Sequence, residues 1–126
     1  MYKRQFGGNP FASRAGLTVA QEIERRGLLQ HVEERGQQLR EGLEQLVQRY
    51  PTLLAGTRGW GLLQGVVLQE SCSCTAAQLA AAAIDQRLLL VAAGPRVLRM
   101  VPPLVISRRD MQELLKRLEA TLAAAG

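Results

Sequence analysis

Val32, Gly36, Leu39, Leu43, Leu46 and Tyr50 recur at alternating intervals of three and four, with glutamates and arginines between them. That spacing puts them on one side of a helix predicted over roughly Leu28 to Arg49 and stopped by Pro51. An earlier helix starts at Asn9-Pro10, where asparagine can cap free amides and proline suits the first helical position. It runs to about Arg26 and Gly27 stops it. From Thr57 to Gln69 the pattern becomes a strand punctuated by Gly59, Gly61 and Gly65. These glycines mark bends or close backbone approach, which tight packing explains as readily as a ligand does. No Gly-Lys-Ser/Thr follows, so they are not a phosphate loop. The alanine-rich run from Thr75 to Arg87 predicts a third helix. Leu88-Leu89-Leu90-Val91 and Val97 to Val101 predict two short strands joined through Ala92-Ala93-Gly94-Pro95. Ser107 and Asp110 form an acidic version of a capping box, and Met111, Leu114, Leu115, Leu118 and Leu122 stripe the last helix. The elements add up to an α+β fold with three short, mostly antiparallel strands and helices over one face. No internal repeat or domain-scale linker is visible.

Composition narrows the function classes. The chain has 126 residues, 47% of them hydrophobic, enough for one domain with its own core. No apolar run approaches the roughly 18 residues of a membrane span, and no charged-then-apolar leader opens the chain, so a membrane role is not expected and the parent protein is expected in the cytoplasm. The net charge is +5, but Lys3 and Arg4 supply two of those charges, and the remaining arginines are interspersed with Glu22, Glu24, Glu33, Glu34, Glu41 and Glu44. Without a basic stripe interleaved with aromatics, nucleic acid is not an expected partner. Cys72 and Cys74 have neither a second pair nor a nearby histidine, so no metal site is expected and they read as loop thiols. His31 is equally isolated and reads as a surface residue.

One arginine stands out. Along Val97-Leu98-Arg99-Met100-Val101, alternation puts Val97, Arg99 and Val101 on one face and Leu98 and Met100 on the other. Pro102 and Pro103 remove two successive backbone donors, so strand pairing must end there, where a cleft can open. A guanidinium between two valines needs a partner, and its planar fork suits a carboxylate bound at two points. A structural glutamate, or solvent reached by a snorkelling side chain, would serve as well.

The run Ala93-Gly94-Pro95-Arg96-Val97-Leu98-Arg99-Met100-Val101-Pro102-Pro103-Leu104 closely resembles the C-terminal domain of the class III, pyridoxal-phosphate-dependent aminotransferases. Phe6-Gly7-Gly8-Asn9-Pro10 resembles the segment opening the helix that leads out of that family's cofactor-binding domain. Arg58-Gly59-Trp60-Gly61-Leu62-Leu63-Gln64-Gly65 resembles the Arg-Gly-x-Gly-Leu strand of its small domain. The three stretches come in family order and span residues 6 to about 124.

The resemblance implies the small domain of a fold-type I transferase, with Arg99 binding the carboxylate of amino-acid and keto-acid substrates. It is strongest to the branch that uses N-acetylornithine and 2-oxoglutarate in arginine biosynthesis. Branches acting on ornithine, 4-aminobutyrate or other ω-amino acids are alternatives, as is a non-catalytic carboxylate-binding module. Pyridoxal 5'-phosphate is the implied cofactor, and the implied partners are the protein's own large domain and a second subunit in a homodimer. The Schiff-base lysine of the family lies upstream of the Phe-Gly-Gly-Asn-Pro segment and has no counterpart here. The only lysines are Lys3 and Lys116, neither in a motif that would desolvate it, so this chain alone is expected to be inactive. A Ser-Thr pair, whose threonine contacts the cofactor phosphate of the neighbouring subunit, precedes the phenylalanine in the family. Arg4 and Gln5 stand there instead, so that contact does not carry over to Gln5. Met1 to Gln5 read as adapter sequence, with the natural small domain spanning residues 6–126.

Overall fold

Asn9 accepts a hydrogen bond from the Ala12 amide and caps α1 (Pro10–Arg25) in the computed structural model, which describes residues 5–126. The first four residues of the expected adapter therefore lie outside the described residues. Gly27 separates α1 from α2 (Leu28–Arg49) at the expected place. α1 packs chiefly on α2 and buries none of its own residues. Phe11 is 86% exposed, and Leu17 and Val19 are exposed with it. Apolar area left open in this way favours association. Light scattering over a concentration series is expected to show self-association of the chain, and a clean monomer at high concentration would contradict it.

The sheet differs from expectation in its strand count. It has four strands, not three, in the order β1 (Leu54–Trp60), β2 (Leu63–Leu68), β4 (Val97–Met100), β3 (Val91–Ala92), and every pairing is antiparallel. The glycine-punctuated segment is a hairpin, with Trp60 opposite Leu63 and a turn at Gly61-Leu62. Gly61 has φ +52° there, which a tight hairpin turn requires and glycine adopts without strain. A register shift between Leu54 and Gly56 reverses the alternation, so Leu54 turns into the core while Gly56, Arg58 and Trp60 share the opposite face. The expected strand at Leu88–Val91 shrinks to Val91–Ala92. The amides of Gln86 and Leu88 still bond back to the Ala83 carbonyl, finishing α3 (Ala76–Asp85) and drawing Leu88 into the core.

α2 and α3 pack on one sheet face, and α4 (Arg108–Ala125) packs on both of them. Their stripes fall as the spacing predicts: Leu39 and Leu43 of α2 and Met111, Leu118 and Leu122 of α4 are fully buried against Val66, Leu98 and Met100 of the sheet. His31 is not a free surface residue. Half-buried, it donates from Nε2 to the Ile106 carbonyl (2.7 Å), tying α2 to the turn before α4. The opposite face of the sheet carries no helix among the described residues.

Candidate functional site

On that open face lies Arg99. Leu98 and Met100 bury themselves beneath it while Val97 stays half-buried and Arg99 exposed, as strand alternation demands. β4 ends at Met100, ahead of the two prolines. In the ladder Arg99 faces Gly65 on one side and Val91 on the other, and Gly65 in turn faces Arg58. Directly opposed residues of an antiparallel pair project to the same side, so two arginines flank a position with no side chain. A Cβ at Gly65 would sit 2.8 Å from the Leu98 carbonyl oxygen, so strand contact accounts for the glycine and the slot follows from it.

The slot belongs to a groove of about 450 Å³ lined by Arg58, Trp60, Leu63, Gly65, Val97 and Arg99, among others. Among the described residues no aspartate or glutamate lines it. Among the described residues neither the Arg58 nor the Arg99 guanidinium is held by an ion pair or a hydrogen bond, whereas Arg25, Arg49 and Arg117 each have a glutamate. Two cations set over an apolar floor without counter-charge suit a small anion, with Trp60, 88% exposed at the rim, offering an apolar wall.

The rim is braced from behind by a cluster that pattern reading did not find. Gln64 is 3% exposed on the core face of β2, and its amide donates to the carbonyls of Gly36 (2.8 Å) and Gly61 (2.7 Å). Its oxygen accepts from Arg40 Nε (3.2 Å), and Arg40 Nη2 donates to the Gly59 carbonyl. Gly36 makes this possible, since a Cβ there would meet the Gly61 backbone at 2.8 Å. α2 thereby holds the hairpin end that presents Arg58 and Trp60.

The other sequence candidates lie elsewhere. Arg96 donates to the Gln69 carbonyl (2.7 Å), a tie between loops. Lys116 is exposed on α4 beside Glu113 and Arg117, away from the groove. Gln5 is exposed in the turn before Asn9. The Cys72 and Cys74 thiols touch (Sγ to Sγ 2.8 Å) in the β2–α3 loop, and burial first, then the Cys72 thiol beside it, push the Cys74 thiol up from its ordinary range. No group of three or more metal-ligating side chains gathers among the described residues.

A sequence model of the family described as aminotransferase class-III matches residues 4–122. The chain is 72% identical over 118 residues to the acetylornithine aminotransferase of Parasynechococcus marenigrum, covering 94% of this chain and 28% of that protein. It is 63% identical to the acetylornithine aminotransferase of Prochlorococcus marinus, with the same 94% and 28% coverage. Among solved structures it is similar to N-acetylornithine aminotransferase from Stenotrophomonas maltophilia (TM-score 0.83, 32% identity, 95% of this chain and 33% of that one). It is also similar to acetylornithine aminotransferase from Elizabethkingia anophelis (TM-score 0.87, 28% identity, 94% and 31%). The chain thus spans less than a third of the length of the curated relatives named here.

Proposed function

The chain belongs to the class III aminotransferases, and from that membership we propose that it is the substrate-carboxylate-binding part of an acetylornithine aminotransferase. The reaction is transfer of an amino group between N-acetylornithine and 2-oxoglutarate, in arginine biosynthesis. The observation that carries this reading is Arg99, exposed and unpaired among the described residues on the open sheet face, in a chain 72% identical to a protein of that name. Arg99 binds the substrate carboxylate with its two-point fork and fixes the orientation of the amino-bearing carbon, an effect able to lower a barrier by several kcal/mol. Trp60 and Leu63 shield one side of the bound molecule from water.

Pyridoxal phosphate would supply the electron sink. The described residues do not by themselves fit that group: no lysine lines the groove, and Lys116 sits on solvated α4. In this proposal residues 6–126 form the small domain, completed by a large domain and a second subunit of a cytoplasmic homodimer. The bare sheet face and the uncovered apolar residues of α1 support such neighbours.

Two measurements test the reading. Grafting the matched 118 residues into the Parasynechococcus marenigrum enzyme is expected to give a protein that transaminates N-acetylornithine in preference to 4-aminobutyrate. An inactive but folded graft, or one preferring 4-aminobutyrate, sinks the proposal. The chain alone, titrated with pyridoxal phosphate, reduced with borohydride and mapped, is expected to show no stoichiometric adduct. A unique adduct on Lys116 would contradict the division of labour proposed above.

A further inference from the structure

We propose that Cys72 and Cys74 are a dithiol exchange site, at which a small-molecule disulfide is reduced and the two cysteines are left joined to each other. The site is independent of the Arg99 groove. Cys72 and Cys74 are the chain's only cysteines, separated by one serine in the loop between β2 and α3. Their sulfurs stand 2.8 Å apart, in contact but unbonded. Residues two apart in an extended chain have Cα atoms about 7 Å apart, at the far limit of the roughly 4.4 to 6.8 Å that a disulfide spans. The chain bends at Ser73 and Cys74 instead, and the two side chains meet. Both ends of the loop are pinned. The Cys72 amide and the Arg96 guanidinium donate to one oxygen, the Gln69 carbonyl (3.1 and 2.7 Å), and the Ala76 amide donates to the Pro95 carbonyl (2.9 Å). Thr75, next to Cys74, caps α3.

A structural role accounts for little of this. A thiol is a weak donor and a weak acceptor, so the contact itself adds little to stability. Among the described residues no histidine or acidic side chain joins the two sulfurs in a metal-ligating group. Both cysteines are partly exposed, and Cys74 leans on the core cluster. Burial first, and the neighbouring thiol second, make the Cys74 thiol hold its proton more firmly than usual. Attack therefore starts from Cys72. Its thiolate, the proton having gone to water, bonds to one sulfur of the small disulfide, whose S–S bond breaks and releases a thiolate that takes up a proton. Cys74 Sγ, deprotonated in turn, attacks Cys72 Sγ in this mixed disulfide and expels the second small thiol. The two cysteines give up two electrons and two protons, and the small disulfide gains them as two thiols. Because the sulfurs are held in contact, this second step is intramolecular and outruns attack by another chain.

The test treats the chain, dilute enough to stay monomeric, with oxidised glutathione, quenches with acid and maps the products by mass spectrometry. The expected product is lighter by two hydrogens, carries a disulfide between Cys72 and Cys74 and no glutathione, and returns to two free thiols with dithiothreitol. Cys74→Ser should stop at a glutathione adduct on Cys72. Cys72→Ser should form its adduct on Cys74 at least about five-fold more slowly, as a thiol that keeps its proton must. Ring closure in the unaltered chain should be about ten-fold slower in concentrated urea, where the bend and its pins are lost. Glutathione retained on the folded chain, a disulfide between two chains, or thiols that stay free would each overturn the inference. So would closure at the same rate in urea, or an adduct that forms on Cys74 as fast as on Cys72. Melting curves check that each serine variant is folded, and the product of the unaltered chain depends on neither variant.

Discussion

Replacing Arg99 by alanine in the grafted enzyme is expected to lower kcat/KM for both N-acetylornithine and 2-oxoglutarate by at least about 30-fold. Truncating one partner of a hydrogen-bonded charge pair typically costs roughly 2 to 5 kcal/mol, and the lower figure sets that minimum. Both substrates carry a carboxylate for the fork to hold, next to the reacting carbon in 2-oxoglutarate and separated by three carbons from the amine-bearing carbon in N-acetylornithine. Stability should change little: the side chain is exposed, and β4 is held by Leu98 and Met100 in the core and by pairing to β2 on one edge and β3 on the other. Arg99→Lys should recover only part of the loss, since a point charge cannot reproduce the fork. Arg96→Ala is the control. Its guanidinium is already committed to the Gln69 carbonyl, so its removal costs one exposed hydrogen bond. If the two alanine variants lose activity equally, or if Arg99→Ala melts well below the parent, Arg99 is a structural residue and the carboxylate anchor must be sought elsewhere.

The placement of Arg99 was legible because it is set locally: alternation over five residues fixes its face, and two prolines fix the strand end. The helices were legible for the same reason, since the stripes of α2 and α4 repeat over several turns. The hairpin was not. Trp60-Gly61-Leu62-Leu63 stays apolar straight through the turn, without the Asn-Gly or Asp-Gly pair that marks most two-residue connections, so two strands read as one. Arg58 escaped for a different reason. Its value comes from lying across Gly65 from Arg99, and that relation exists only once β2 has paired with both neighbours. Gln64 looked like one more polar residue in a strand, because its partners at Gly36 and Arg40 come from a helix more than twenty residues earlier. The reading of the three strand glycines as bends or close contacts was sound in kind, but it could not rank them.

That ranking yields the largest expected effect on stability. Gly59→Ala should destabilise the chain by roughly 2 to 6 kcal/mol, because two costs fall on one position. Its φ of +104° is strained for any residue with a side chain, at about 1 to 3 kcal/mol. The new Cβ would also sit 2.1 Å from the Leu63 carbonyl oxygen and 2.8 Å from Gln64 Cα. Both are backbone atoms of the facing strand, with no flexible side chain to yield, so the hairpin itself must open, which overpacking data put at about another 1 to 3 kcal/mol. Opening it displaces the Gly59 carbonyl from Arg40 and loosens the rim that carries Arg58 and Trp60. Gly56 lies in the same strand, yet it has no positive φ and nothing within 4 Å of its would-be Cβ. Gly56→Ala should therefore be neutral or stabilising by about 0.5 kcal/mol, through the lost freedom of the unfolded chain. Thermal and urea melts of the two variants should differ by about 10 °C or more in Tm, given the few degrees per kcal/mol typical of domains this size. Matching melting curves would mean that the hairpin tolerates a side chain at Gly59 and that its tight turn is not what positions the groove.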